Sequence, residues 1–354
     1  MPAFKHVVVV SDNIRGHYHQ SLGVAIWLEK LGNVKIEDPM KMPQISSLQK
    51  FMKLKISGRN IPKKGPEFSK QWLKSFGIST KRFYPDTIFI SAGSSAAPFC
   101  LAIAKATGNK AAVIMTPSIF GTKPFDFAIV PEHDEHDRSD PKIITTLGAP
   151  NHIHSQMIKT AAETFFGHIQ FKKKVIAVLV GGSDSNYRPD AEWASEVLGD
   201  LKRFKDTTIL ITTSRRTEEN LENEVENLFS SHPSLGYMLI LSRNPKVNAV
   251  TAMLGAATHV LVTEDSVSMV SEAATAGFKV GLLRVPRVTG KLKKSLGYGT
   301  KKFDEMFEEM KARDLIEDLG STPDFDKFLA PDEQKHNKNF NEAQRAAEWI
   351  LNQP

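Results

Sequence analysis

The sequence predicts an α/β protein built as two doubly wound domains that face each other across a cleft. Three observations carry this. Short apolar runs alternate with segments of helical periodicity, the mark of parallel sheets covered by helices on both faces. The alternation halts near Pro150 and restarts at Lys174, so two such sheets follow one another. The chain's 354 residues leave room for two domains of ordinary size, each with its own core.

The first domain is expected over residues 1–152. HVVVV (6–10) reads as a buried strand, and YHQSLGVAIWLEKLG as the helix after it, with Gly32 as its C-terminal stop. A basic insert spans 41–82. Beyond it, DTIFIS (86–91), AAVIM (111–115), FAIVP and KIITTLG read as strands, with SAAPFCLAIAKATG as the helix between the first two. Residues 153–173 are expected to form a linker helix. The second domain is expected over 174–330, with strands at 175–180, 207–211, 237–241, 259–263 and 279–283. Between the first two, Trp193, Val197, Leu198 and Leu201 repeat at helical spacing. In 331–354, Phe340, Ala343, Ala347 and Ile350 share one side of a final amphipathic helix.

Composition bounds the chemistry. With 41% hydrophobic and 24% charged residues the chain is globular. Its single cysteine, Cys100, rules out an intramolecular disulfide and a cysteine metal cluster, and fits the cytoplasm. No apolar segment approaches 18 residues, so no membrane span is expected. The net charge of +6 is unevenly spread. Between Lys41 and Arg82 there are eleven Lys and Arg against one acid, Glu67, interleaved with Phe51, Met52, Leu54, Trp72, Leu73 and Phe76. That mixture suits peripheral contact with an anionic membrane surface or a lipid-linked acceptor. It equally suits a solvated lysine-rich face whose apolar residues point inward. No recognition motif for nucleic acid accompanies it.

Five strand ends follow a common pattern, in VVSDNIRGHYHQ, ISAGSSAAP, LVGGSDSNYRPD, ITTSRRTEE and LVTEDSVSMVSE. Each passes from an apolar strand through small or hydroxyl residues into a helix. Glycine lets backbone approach a ligand, and a helix N-terminus offers free N–H groups to an anion. The set suits a phosphate-bearing ligand, although Ser and Thr are also ordinary helix caps. In the last of the five, the amides of a helix starting near Ser266, Val267 and Ser268 can hold a diphosphate. Glu272 then lies one turn on, about 6 Å along the axis, where a carboxylate can take both hydroxyls of a ribose. His17 falls at the start of the first helix, whose positive end disfavours imidazolium, so it can accept a proton. Glu132 and Asp134, in VPEHDEHD, are carboxylates at a strand end and fit an acid/base partner or an orienter for a histidine. Glu132, His133 and His136 match no H-E-x-x-H spacing, and no metal or resident cofactor is expected. The sequence also lacks a G-x-x-x-x-G-K-[ST], a G-x-G-x-x-G after the first strand and a G-x-S-x-G.

Together these turns resemble the GT-B glycosyltransferases, which have two Rossmann-like domains. GHYHQSLGVAIWL is similar to the glycine-histidine loop of the bacterial peptidoglycan N-acetylglucosaminyltransferase, GGSDS to its glycine-serine turn, and DSVSMVSEAATAGFKVGLL to its nucleotide-binding helix. The order GH…Q.LG.A, AG…AP, FD…VPEHD, TLGA, GGS…YR, TTSRRT and T.DSVSM.SEAA..G resembles the mitochondrial-fission "elongated mitochondria" family from about Ser11 to Leu283. The resemblance implies a GT-B-like fold, with an acceptor-side domain at 1–152, a nucleotide-sugar domain at 174–330 and the 331–354 helix packing back toward the first domain, and with His17 as base and Glu272 on the ribose. It also implies a phosphate-facing helix start at Ser266, Val267 and Ser268, with Gly182 and Ser183 lining the donor side. We add Arg215 as a guanidinium to neutralise charge on a departing diphosphate. The leading expectation is an inverting, metal-independent glycosyltransferase acting on a nucleotide-diphospho sugar. The alternatives are a nucleotide-sugar epimerase or hydrolase using Glu132 and Asp134, and a non-catalytic membrane-surface adaptor that keeps the fold.

Overall fold

The computed structural model describes residues 4–43, 54, 56–134, 137, 139–288, 300–334 and 339–353. Lys50, Phe51, Met52, Lys53 and Lys55 of the basic insert, and His136, lie outside the described residues. The chain divides into two compact units, Met1–His152 with Asn341–Pro354, and Ile153–Phe340.

In the first unit the strands are β1 (His6–Ser11), β2 (Lys35–Ile36), β3 (Met40–Lys41), β4 (Thr87–Ala92), β5 (Lys110–Ile114), β6 (Phe127–Pro131) and β7 (Ile143–Thr146). They form one parallel sheet in the order β2-β1-β4-β5-β6-β7, with β3 also on β1. The run of valines in β1 is continuous because both faces of the sheet are covered. Val8 and Val10 meet Phe89, Trp72 and Phe99 on one side. Val7 and Val9 pack with Leu28, Ile90, Ala343 and Ile350 on the other. The helix Gly93–Thr107 serves the first face; Arg15–Gly32 and the last helix, Glu342–Leu351, serve the second.

The basic insert is anchored by its apolar residues. Leu54, Ile61, Trp72 and Leu73 are buried, and Phe76 packs on the same cluster. Lys105 adds a polar tie, its Nζ donating to the carbonyls of Ile61, Pro62 and Lys64 at 2.8, 3.0 and 2.7 Å. Among the described residues of the insert, the interleaved large side chains therefore face the core and the bases face water.

The second unit starts with the helix Ser155–Phe166, which packs on the helix Val250–Ala256. Its strands are β8 (Lys174–Leu179), β9 (Thr207–Thr212), β10 (Leu235–Leu239), β11 (His259–Thr263), β12 (Val280–Leu283) and β13 (Ile316–Asp318). The order β10-β9-β8-β11-β12-β13 is parallel throughout. This is the doubly wound 3-2-1-4-5-6 arrangement. Between β8 and β9 the expected helix starts at Ala191, but it continues as a wide and then a tight turn of helix to Arg203. In such sheets ligands lie beyond the carboxyl ends of the strands, where the winding reverses. That reversal falls between β1 and β4 in the first sheet and between β8 and β11 in the second.

Candidate functional site

The first switch point is built around His17. Past the end of β1 the chain makes a tight turn. Ser11 Oγ accepts the N–H of Asn13, which takes a positive φ of 66°, and Asp12 Oδ1 accepts the N–H of Ile14 at 3.1 Å. The helix starts at Arg15, which puts His17 in its first turn. His17 Nδ1 lies 2.8 Å from Asp12 Oδ2. Asp12 is nearly enclosed, its side chain 3% exposed, while that of His17 is 26% exposed. A carboxylate can only accept, so Nδ1 carries a proton, and in the neutral ring the lone pair is on Nε2. The imidazole rests on Gly93, which follows β4 with φ of 79°; a Cβ there would overlap the ring. Ser94, next in the chain, accepts the N–H of Ser118 at 3.0 Å.

Glu132 and Asp134 sit on the turn after β6. The N–H of Glu132 donates to the carbonyl of Thr146, and Asp134 Oδ1 lies 4.0 Å from its neighbour His133. The carboxylate that meets His17 is Asp12, which the sequence puts at the strand end beside that histidine but which was given no role there. The signal was there: an aspartate directly past a strand and five residues ahead of a helix-start histidine.

The second switch point brings together the turns after β8, β9 and β11. Gly181 donates its N–H to Thr263 Oγ1 at 2.7 Å, and Gly182 donates to Asp265 Oδ2 at 2.8 Å. Arg216, from the turn after β9, reaches the same place. Its Nη2 donates to Asp265 Oδ2 at 2.8 Å, and its Nη1 to the carbonyl of Gly182 at 3.1 Å. The Arg216 carbonyl in turn accepts the N–H of Ser183 at 3.0 Å. Neither glycine could carry a side chain: a Cβ on Gly181 would overlap the Asp265 carboxylate, and one on Gly182 the backbone of Arg216. The Asp265 side chain is fully enclosed. Burial pushes its carboxyl above the usual range, against the pull of the Gly182 N–H and of Arg216. Asp265 Oδ1 and Ser183 Oγ are buried without a hydrogen-bond partner among the described residues.

The helix Val267–Thr275 starts here, and no side chain caps it. Ser266, Val267 and Ser268 are half-buried, and Glu272 follows one turn on from Ser268. Free helix amides beside hydroxyls are the ordinary means of holding a phosphate. Arg215 is exposed and shares in none of the bonds that hold its neighbour Arg216. Arg216 and Asp265 were not singled out from the sequence; nothing local separates two adjacent arginines.

Two further cations nearby are already matched. Enclosed Glu264 accepts from Arg284 at 2.7 Å and from Arg287 at 2.6 Å; both arginines also bind Asp304, and Arg284 binds Asp318 as well. Against the cost of burial, these partners hold Asp304 and Asp318 below the usual carboxylate range. The cluster fastens the end of β11 to β12 and β13.

Solved structures of low sequence identity share this architecture. MnaA of S. aureus, in a co-structure with UDP, is 11% identical and has a TM-score of 0.50, covering 99% of this chain and 95% of its own. The UDP-GlcNAc 2-epimerase of Neisseria meningitidis, bound to UDP-GlcNAc, is 14% identical with a TM-score of 0.50 and covers 98% of both chains. The likeness shows a GT-B-like fold of two Rossmann-type domains. No curated protein matches the sequence. A family model does, over residues 15–353, and by that match the chain belongs to the mitochondrial fission ELM1 family.

Proposed function

We propose that this protein is a glycosyltransferase that takes its sugar from a nucleotide-diphospho donor without a metal. The observation that carries the reading is the pair His17–Asp12 at 2.8 Å, with the second imidazole nitrogen left to accept a proton. His17 Nε2 removes the proton of an acceptor hydroxyl as its oxygen attacks the anomeric carbon. The bond to the diphosphate breaks, and the sugar is inverted. Asp12 holds the tautomer and steadies the imidazolium that forms. The amides of Val267 and Ser268 and the hydroxyls of Ser266 and Ser268 hold the diphosphate, with Gly182 and Ser183 lining the donor side; Glu272 binds the ribose; Arg215 offsets the charge released. The UDP and UDP-GlcNAc bound by the two similar structures support a uridine nucleotide as the first candidate.

Arg59, Lys63, Lys64, Lys70, Lys74, Lys81 and Arg82 are all exposed, with Glu67 the one acid among them and paired to Lys70. This cationic face supports a peripheral site of action at an anionic membrane carrying the acceptor, with docking by charge rather than insertion. No helix among the described residues is long and apolar enough to cross a membrane.

Calorimetric titration with UDP, GDP, CMP and ADP tests the reading, with Glu272→Ala as control. Saturable binding of one nucleotide, lost in the variant, is expected. No binding at millimolar concentration would sink the transferase reading and favour a non-catalytic adaptor.

A further inference from the structure

We infer that the adjacent arginines of the turn after β9 divide their labour: Arg216, through Asp265, is a positioning residue for the glycine turn, and Arg215 supplies the charge that meets a diphosphate. The inference rests on the nucleotide-binding reading above and assigns roles within that site.

Arg216 is a poor anion ligand for a physical reason. Its guanidinium has Asp265 Oδ2 at 2.8 Å and Asp184 Oδ2 at 3.5 Å, so two carboxylates face one positive charge. A phosphate placed there would meet net negative charge. What Arg216 does well is fasten. Through two nitrogens and its own carbonyl it joins Gly182, Ser183 and Asp265, which come from the turns after β8 and β11. A planar guanidinium fork can do this, and a single ammonium cannot. Asp265 completes the brace from beneath, taking the Gly182 N–H on the same oxygen. Asp265 immediately precedes Ser266, so the brace also sets where the free amides of the helix Val267–Thr275 start. Both arginines are exposed, but the charge of Arg216 is matched by Asp265 and Asp184 while Arg215 is left outside the brace.

The test uses the full chain and two readouts. Hydrogen exchange across residues 181–184, with no ligand present, reads the brace. Arg216→Lys and Asp265→Asn should each speed exchange there at least tenfold. The double variant should be no faster than either alone, because both break one unit. Arg215→Gln should leave exchange as in the wild type. Titration with inorganic pyrophosphate at two salt concentrations reads the charge. Arg215→Gln should weaken binding about tenfold and flatten its salt dependence. Arg216→Lys, which keeps the charge, should weaken binding while keeping the salt slope. Unchanged exchange in Arg216→Lys and Asp265→Asn overturns the brace, whatever the protein binds. Pyrophosphate binding that Arg215→Gln leaves intact overturns the role of Arg215. Failure of the wild type to bind pyrophosphate or any nucleotide overturns the functional reading instead, and the exchange arm still judges the brace.

Discussion

The two switch points use the same parts to different ends. Each has an aspartate just past a strand, Asp12 after β1 and Asp265 after β11, with its side chain almost wholly enclosed. Each has a glycine where a side chain would collide with the aspartate or its partner. The partners differ. Asp12 holds an imidazole, a group that can accept and release a proton; Asp265 holds a guanidinium, which cannot. The imidazole, 26% exposed, keeps its Nε2 outside the pair with Asp12. The guanidinium, though 40% exposed, bonds the Gly182 and Asp265 carbonyls and the Asp265 carboxylate, so its donors are spent on fixing the turns. A buried carboxylate is scaffolding in both places, and the group it holds decides between chemistry and binding.

The sharpest way to break this comparison is to change both aspartates. Once a donor and acceptor are identified, His17→Ala should lower kcat by about 10²–10⁴-fold, the usual worth of a general base. Asp12→Asn should lose about 10²-fold or more, since the amide can present its N–H to Nδ1 and favour the wrong tautomer. Asp265→Asn should act on KM instead. Steady-state kinetics on the three variants checks the split. A kcat collapse in Asp265→Asn with unchanged KM would show that the second site takes part in the chemistry.

The glycines give a second contrast, in stability. A methyl on Gly182 meets the backbone of Arg216 and Thr217, which cannot rotate away. Gly182→Ala should cost about 3 kcal/mol, in the range of core overpacking. A methyl on Gly93 meets the ring of His17, which can swing aside, and adds the strain of a positive φ. Gly93→Ala should cost less, about 1–2 kcal/mol, yet misplace the base. Urea unfolding ranks the two, and equal midpoints would mean that the turn after β8 is softer than its bonding implies.

Much of the fold could be read from sequence because it rests on long apolar runs. HVVVV announces β1 because its alternate valines enter two separate cores, so no polar residue interrupts it. The helix start at Val267 was legible from Ser266 and the alanines beyond. What escaped was short or distant. The strands Lys35–Ile36 and Met40–Lys41 hold two residues each, and Ile316–Asp318 three, too few to show a period. The spacing of Trp193, Val197 and Leu201 gives a helical face, but not the uneven turns that carry it. Glu264 finds Arg284 and Arg287 twenty or more residues away, and Arg216 finds Asp265 across forty-nine. Only Asp12 lay within local reach of its partner, at five residues.

The two ends of β11 supply an effect that only a change of pH reveals, and it separates scaffold from site. Asp265 lies just past the carboxyl end, and His259 opens the strand, fully buried against Phe328 with Nδ1 2.9 Å from Thr258 Oγ1. Burial first, and the charge of Lys174 second, push His259 down to about 4. A histidine depressed in the fold is protonated more readily when unfolded. As pH falls from about 6.5 toward 4, the unfolded chain therefore binds more protons, and this group's contribution to stability is lost. The loss comes to about 2–3 kcal/mol. Asp265 works in the opposite sense. Its carboxyl is raised by burial, so the folded state binds the proton first and regains stability as pH falls toward its folded value from above. Urea unfolding at pH 7.0, 5.5 and 4.5 separates them. His259→Gln should flatten the acid loss, and Asp265→Asn should steepen it. If His259→Gln leaves the profile unchanged, the ring reaches solvent and the start of β11 is less tightly closed than its packing indicates.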